Sequence, residues 1–142
     1  MAYNILIVDD SAPMRAVIKK TVKVSGFNVG QVFEASNGKE ALDLLRREWM
    51  DLVVSDHNMP EMTGLEMLEE MKKDELLQSV PVVMVTTEGS RERVEMFRSM
   101  GIADYLKKPF TPEEIRSKLN RIMGEEDHGQ GAAEEDDEDL DF

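Results

Sequence analysis

Short apolar runs alternate along this chain with stretches in which apolar residues recur every three or four positions. Ile5-Leu6-Ile7-Val8 is unbroken, the pattern of a strand covered on both faces. From Pro13 the period changes, with Met14, Val17, Ile18 and Val22 on one helical face and Gly26 closing the segment. Gln31 to Ala35 reads as a second, weaker strand. Asn37, with Glu40 three residues on, opens a second helix bearing Ala41, Leu44 and Leu45. A third strand runs from Asp51 to Ser55 and ends at Asp56. Thr63 and Glu66 repeat the cap signal before Leu65, Leu68 and Met71.

Val82 to Val85 makes a fourth strand. Ser90 caps a helix that turns Val94 and Phe97 inward and stops at Gly101. Ala103 to Leu106 is a short fifth strand. Thr111-Pro112-Glu113-Glu114 then supplies an N-cap, a proline at the first helical position and a box glutamate, ahead of an Ile115, Leu119 and Ile122 stripe. Five strand-then-helix units predict a five-stranded parallel sheet of the α/β class with helices on both faces.

Charge divides the chain. Ten of the 30 acids fall in residues 124–142, which hold no Lys or Arg; 20 acids against 17 bases remain, a net −3 for residues 1–123. The expected organisation is therefore a folded body, 1–123, and an acidic flexible tail, 124–142, too poor in apolar residues to order itself. A nearly balanced body argues against a nucleic-acid partner, which needs a basic face. The absence of cysteine excludes disulfides and thiolate metal sites. The start, MAYNILIVDD, has no basic leader, and no apolar run approaches the length of a membrane span, so a soluble cytoplasmic protein is expected.

The unusual residues gather where strands end. The first strand ends in Asp9-Asp10, the third in Asp56, the fourth in Thr86-Thr87, and the fifth leads to Lys107-Lys108-Pro109. In open α/β sheets that edge is where ligands bind. Three carboxylates converging there would repel one another unless a cation joined them, and hard oxygen donors suit Mg²⁺ or Mn²⁺. An isolated Asp-Asp pair in so acidic a chain is more often a solvated turn. The acids, hydroxyl and lysine at one edge are what make a site.

From about Tyr3 to Met123 the chain resembles the CheY-like receiver domains of two-component signalling. Ile7-Val8-Asp9-Asp10-Ser11, Asp56-His57-Asn58-Met59-Pro60 with Gly64, Val85-Thr86, and Tyr105-Leu106-Lys107-Lys108-Pro109-Phe110 carry the resemblance, in the family's order and spacing. It implies a (βα)5 flavodoxin-like fold with strand order 2-1-3-4-5. It also implies that Asp56 accepts a phosphoryl group from a partner histidine kinase in a Mg²⁺-dependent reaction. Asp9, Asp10, Asp56 and the Asn58 backbone carbonyl would hold the metal, and Lys108 would pair with Asp56 and then with the phosphoryl group. Thr86 and Tyr105 would act as switch residues, and Asn58 and Glu88 would set the lifetime of the phosphorylated state. A cis Lys108–Pro109 bond is implied as well. Lys107 reads as a surface lysine, and His57 as an exposed loop residue rather than a ligand.

The same resemblance implies a monomer that signals by binding another protein, such as a flagellar-motor switch component, with a phosphatase as a further partner. A phosphorelay intermediate is the alternative. A haloacid-dehalogenase-type phosphatase needs a second Asp two residues after its nucleophile, where this chain has Asn58. A flavodoxin needs a less acidic first turn than Asp9-Asp10-Ser11-Ala12-Pro13. An adaptor that kept only the fold would not need the complete pocket. At the far end, the acidic run reads first as a solubilising polyanion, and Leu140 and Phe142 within it offer the alternative of a tail that docks weakly on a face bearing Arg91, Arg93, Lys107, Lys108 and Lys118.

Overall fold

The computed structural model describes residues 2–125. Strands and helices alternate as β1 (Tyr3–Val8), α1 (Ala12–Ser25), β2 (Val29–Ala35), α2 (Gly38–Arg47), β3 (Leu52–Asp56), α3 (Gly64–Lys72), β4 (Val82–Thr86), α4 (Arg91–Ser99), β5 (Asp104–Lys107) and α5 (Pro112–Met123). The strands form one parallel sheet in the order β2-β1-β3-β4-β5, as the resemblance implied.

Successive strand side chains point to opposite faces, so an unbroken apolar run feeds two cores at once. Leu6, Val8, Val53 and Met84 pack with Met67 and Leu68 of α3 and Phe97 of α4 on one face. Ile5, Ile7, Val54 and Val85 pack with Ile18 and Val22 of α1 and Ile115 and Leu119 of α5 on the other. Each such side chain, removed from water, contributes about 1.5–3 kcal/mol of transfer free energy. That burial, rather than intrinsic propensity, holds helices as short as α3 and α4 in place.

Local chemistry fixes the helix starts. Ser11, Asn37, Thr63, Ser90 and Thr111 each accept the backbone N–H three residues on, and Thr63–Glu66 and Thr111–Glu114 are complete capping boxes. At α2 the second half of the box is displaced, because Glu40 receives the backbone and hydroxyl of Ser36 instead. Those bonds hold the Glu40 carboxyl below the ordinary range. Gly26 and Gly124 close α1 and α5 in the left-handed region. Glu125 donates its backbone N–H to Asn120 and accepts the Tyr3 hydroxyl. Residues 126–142, with Leu140 and Phe142, lie outside the described residues.

Some details differ from the sequence expectation, and β3 begins at Leu52 rather than Asp51. β2 begins at Val29 rather than Gln31. β5 runs from Asp104 to Lys107, with Ala103 exposed just ahead of it. Val17, placed with the inward face of α1, is 55% exposed. The helix buries Ile18 and Val22 against the sheet and turns Val17 outward.

At Gly64 the start of α3 passes close beneath the end of β3. A Cβ there would lie 2.8 Å from the carbonyl oxygen of Asp56 and 2.7 Å from Met84 Sδ. The thioether can move aside; the backbone oxygen cannot. Gly64→Ala is expected to cost about 1–3 kcal/mol of stability, read as a lower urea midpoint with an unchanged slope. A wild-type midpoint would mean that α3 can slide away.

Candidate functional site

Strand register sets the site. Val8 pairs with Ser55, Asp56 with Val85, and Thr86 with Lys107, so the residues leaving these positions share the carboxyl edge of the sheet. Asp9 and Asp10 follow β1, Asp56 ends β3, Thr86 ends β4, and Lys108 follows β5.

One oxygen from each of Asp9, Asp10 and Asp56 lies within 4.8 Å of the others. Asp9 is 2% exposed; its Oδ1 accepts the Ser11 N–H at 2.8 Å, while its Oδ2 is buried and has no hydrogen-bond partner. The Lys108 ammonium stands 3.7 Å from both Asp9 Oδ2 and Asp56 Oδ1, within ion-pair range but too far to hydrogen-bond. Burial pushes the Asp56 carboxyl above the ordinary carboxylate range; Lys108 opposes this, and Asp9 and Asp10 add to it. One ammonium facing three converging carboxylates leaves negative charge uncompensated. A buried carboxylate oxygen without a partner is the kind of group a hard divalent cation satisfies. The cluster can hold such an ion, and its all-oxygen donor set fits Mg²⁺ or Mn²⁺.

The response regulator receiver domain family matches residues 5–120. The chain belongs to that family. It is 40% identical over 132 residues to a chemotaxis protein CheY homolog of Campylobacter jejuni, covering 92% of this chain and 99% of that one. Among solved structures it is similar to the chemotaxis response regulator CheY4 of Vibrio cholerae, with a TM-score of 0.76, 33% identity, and 86% and 99% of the two chains covered. It also resembles the receiver domain of a Pseudomonas aeruginosa sensor histidine kinase, whose active-site cleft coordinates a magnesium ion; there the TM-score is 0.76, the identity 26%, and the coverage 87% and 99%. Receiver domains are signalling modules, and among the described residues no helix is long and apolar enough to cross a membrane.

Around the receiver's acidic cluster the remaining expected residues take distinct positions. Thr86 is buried, and its hydroxyl is bonded to the backbone of Glu88. Tyr105 is half-buried, with the Lys118 ammonium 4.4 Å from its ring centre and the Arg98 guanidinium at 5.9 Å. Asn58 and Glu88 are exposed on the loops after β3 and β4, and so is Lys107 on β5. The Lys108–Pro109 peptide is cis.

His57 corrects an expectation. It is half-buried rather than exposed, its ring meets Phe97 edge-on at 5.2 Å, and its Nδ1 is buried without a partner. Burial first, and Arg93 second, push its pKa below the ordinary histidine value. It does not join the carboxylate cluster.

Arg15 was not anticipated. From the first turn of α1 it donates to the Asp9 carbonyl at 2.6 Å and to Glu34 at 3.0 Å, so it fixes the backbone between the two acids. The cations expected to attract the tail are largely paired already. Arg91 meets Glu95, Arg93 meets Glu88, Lys108 meets Asp9 and Asp56, and Lys118 meets Asp104.

Proposed function

We propose that this receiver takes a phosphoryl group onto Asp56 from a partner histidine kinase and signals by phosphorylation-dependent protein binding in chemotaxis. The observation that carries this reading is the convergence of Asp9, Asp10 and Asp56 with Lys108 at one edge of the sheet. The chemotaxis assignment rests on the names of the relatives. In this reading residues 1–123 are the signalling body and 124–142 an acidic appendage.

Asp9, Asp10 and Asp56, with the Asn58 carbonyl, would hold Mg²⁺ or Mn²⁺. When bound, the ion neutralises the carboxylate and phosphoryl oxygens, so that one anion can approach another. A carboxylate oxygen of Asp56 attacks the phosphorus of the donor phosphohistidine. The O–P bond forms as the P–N bond breaks, and the imidazole leaves with the electron pair and takes up a proton. Lys108 moves its charge from the carboxylate to the transferred group, which is the electrostatic help that phosphoryl transfer asks of a protein. Thr86 would then donate its hydroxyl to a phosphoryl oxygen, and Tyr105 would follow the loop inward.

Beside Lys108 lies an apolar groove of about 370 Å³ lined by Met14, Val17, Thr21, Thr87, Pro109 and Phe110. It suits the kinase element that carries the phosphohistidine, because Lys108, which also lines it, stands 3.7 Å from Asp56 Oδ1. Incubation with acetyl phosphate and Mg²⁺ should give a phosphoryl adduct on the Asp56 peptide, lost when the metal is chelated; an adduct elsewhere would refute the reading. Val17→Glu should slow transfer from the kinase by about 30-fold, the effect of losing a hot spot of about 2 kcal/mol, while acetyl phosphate labels it as before. Equal loss from both donors would mean that the groove serves the chemistry and not docking.

A further inference from the structure

One glutamate ties the loop after β4 to itself and to α4. The Glu88 N–H donates to Thr86 Oγ1 at 3.0 Å, and the Thr86 hydroxyl donates to the Glu88 carbonyl at 3.2 Å. Thr86 thus spends its hydroxyl on its own loop. The Glu88 carboxylate is gripped from the helix: Arg93 Nη2 donates to Oε1 at 2.9 Å and Ser90 Oγ to Oε2 at 3.1 Å. Ser90 is also the N-cap of α4, accepting the Arg93 N–H at 3.2 Å. The Arg93 guanidinium lies 5.8 Å from the centre of the Phe97 ring. Phe97 is wholly buried, and His57, the residue after Asp56, packs edge-on against it.

A path of contacts therefore leaves the site at Asp56-His57, crosses Phe97, and returns through Arg93 and Glu88 to Thr86. We propose that Arg93 is a positioning residue that latches the Thr86 loop in its unphosphorylated arrangement. The proposal rests on the phosphoacceptor reading of Asp56. For Thr86 to donate to a phosphoryl group its single hydroxyl proton must leave the Glu88 carbonyl, and the loop must move with it. The Arg93–Glu88 pair resists that movement from a helix anchored in the core by Phe97. An interaction present in one of two states shifts the balance by its own differential strength. A partly exposed ion pair shifts it modestly, by about threefold.

The test is the affinity of the full chain for beryllofluoride, a phosphoryl mimic, in the presence of Mg²⁺, followed by NMR with Asp56→Asn as the control. Arg93→Ala should bind about threefold more tightly, since the latch no longer opposes the loop. Arg93→Lys should restore most of the wild-type value. In a Glu88→Gln background Arg93→Ala should add little, because the two residues act as one unit. A lower thermal midpoint with unchanged or weaker affinity in Arg93→Ala would make the residue merely structural and overturn the proposal. If the wild-type chain shows no Asp56-dependent binding, the phosphoacceptor reading fails, and the latch with it. If wild type binds and Arg93→Ala binds equally, the latch alone fails.

Discussion

Asp56→Asn is expected to accept no phosphoryl group from acetyl phosphate or from a kinase, while its metal-free fold becomes more stable than that of the wild type. The first effect follows from chemistry, because an amide oxygen is a poor nucleophile toward phosphorus and forms no acyl phosphate. The second follows from burial. The Asp56 side chain is 13% exposed, and desolvation outweighs the attraction of Lys108, so its carboxyl titrates above the ordinary range. The native state then holds this proton more strongly than the unfolded chain does. Stability from the protonated form is present at low pH and lost as pH rises through the folded pKa. Asparagine keeps the shape without the buried charge. At neutral pH its thermal midpoint should rise by roughly 3–5 °C, the shift that about 1 kcal/mol gives a domain of this size. The gain should vanish below the ordinary carboxylate range, where wild-type Asp56 is protonated in both states. Undiminished labelling would move the acceptor elsewhere, and an unchanged midpoint would mean that Lys108 fully offsets the burial.

Asp10→Ala should lower Mg²⁺ affinity by at least about 100-fold, the upper end of what even an outer-shell change costs a metal site. Asp10 is exposed, whereas Asp9 is buried and bonded to the backbone of Ser11. Removing Asp10 therefore takes away a donor without leaving a cavity, and it relieves repulsion among three acids. Calorimetry gives the affinity directly. Trp49, the single tryptophan, is a poor reporter: it is 76% exposed and bonded to Asp51, at the opposite end of β3 from Asp56. Mg²⁺ should raise the thermal midpoint of the wild type and leave that of the variant where it was. Undiminished affinity would place the ion away from this cluster.

Much of this was legible in the sequence because the relevant signals are local. Ile5 to Val8 and Val82 to Val85 are buried because an unbroken apolar run has nowhere else to go, and the hydroxyl or amide caps sit where helices must begin. The acids, threonine and lysine were conspicuous because they follow apolar strands, where the chain must leave the sheet. Which acceptor each charged side chain meets was not legible. With a third of the residues charged, nothing in the sequence matches Arg93 to Glu88 or Arg15 to the carbonyl of Asp9. Val17 was misplaced because periodicity gives the direction of an apolar stripe and not its width. His57 was misjudged because its burial depends on Phe97, forty residues further on.

The fifth strand lies at the border of the sheet, where unpaired main-chain groups invite a stray strand from another molecule. Here the chain supplies its own partners. The Tyr105 N–H donates to Asp104 Oδ1 at 2.8 Å, and the Tyr105 carbonyl accepts the Lys118 ammonium at 2.7 Å. Arg98 and Arg121 hold the same Asp104 carboxylate at 4.0 and 3.9 Å, and the strand is over after four residues. A would-be adjoining strand would find the central hydrogen-bonding positions taken and a cluster of cations in the way. At Tyr105 this border therefore offers an adjoining strand no free main-chain group.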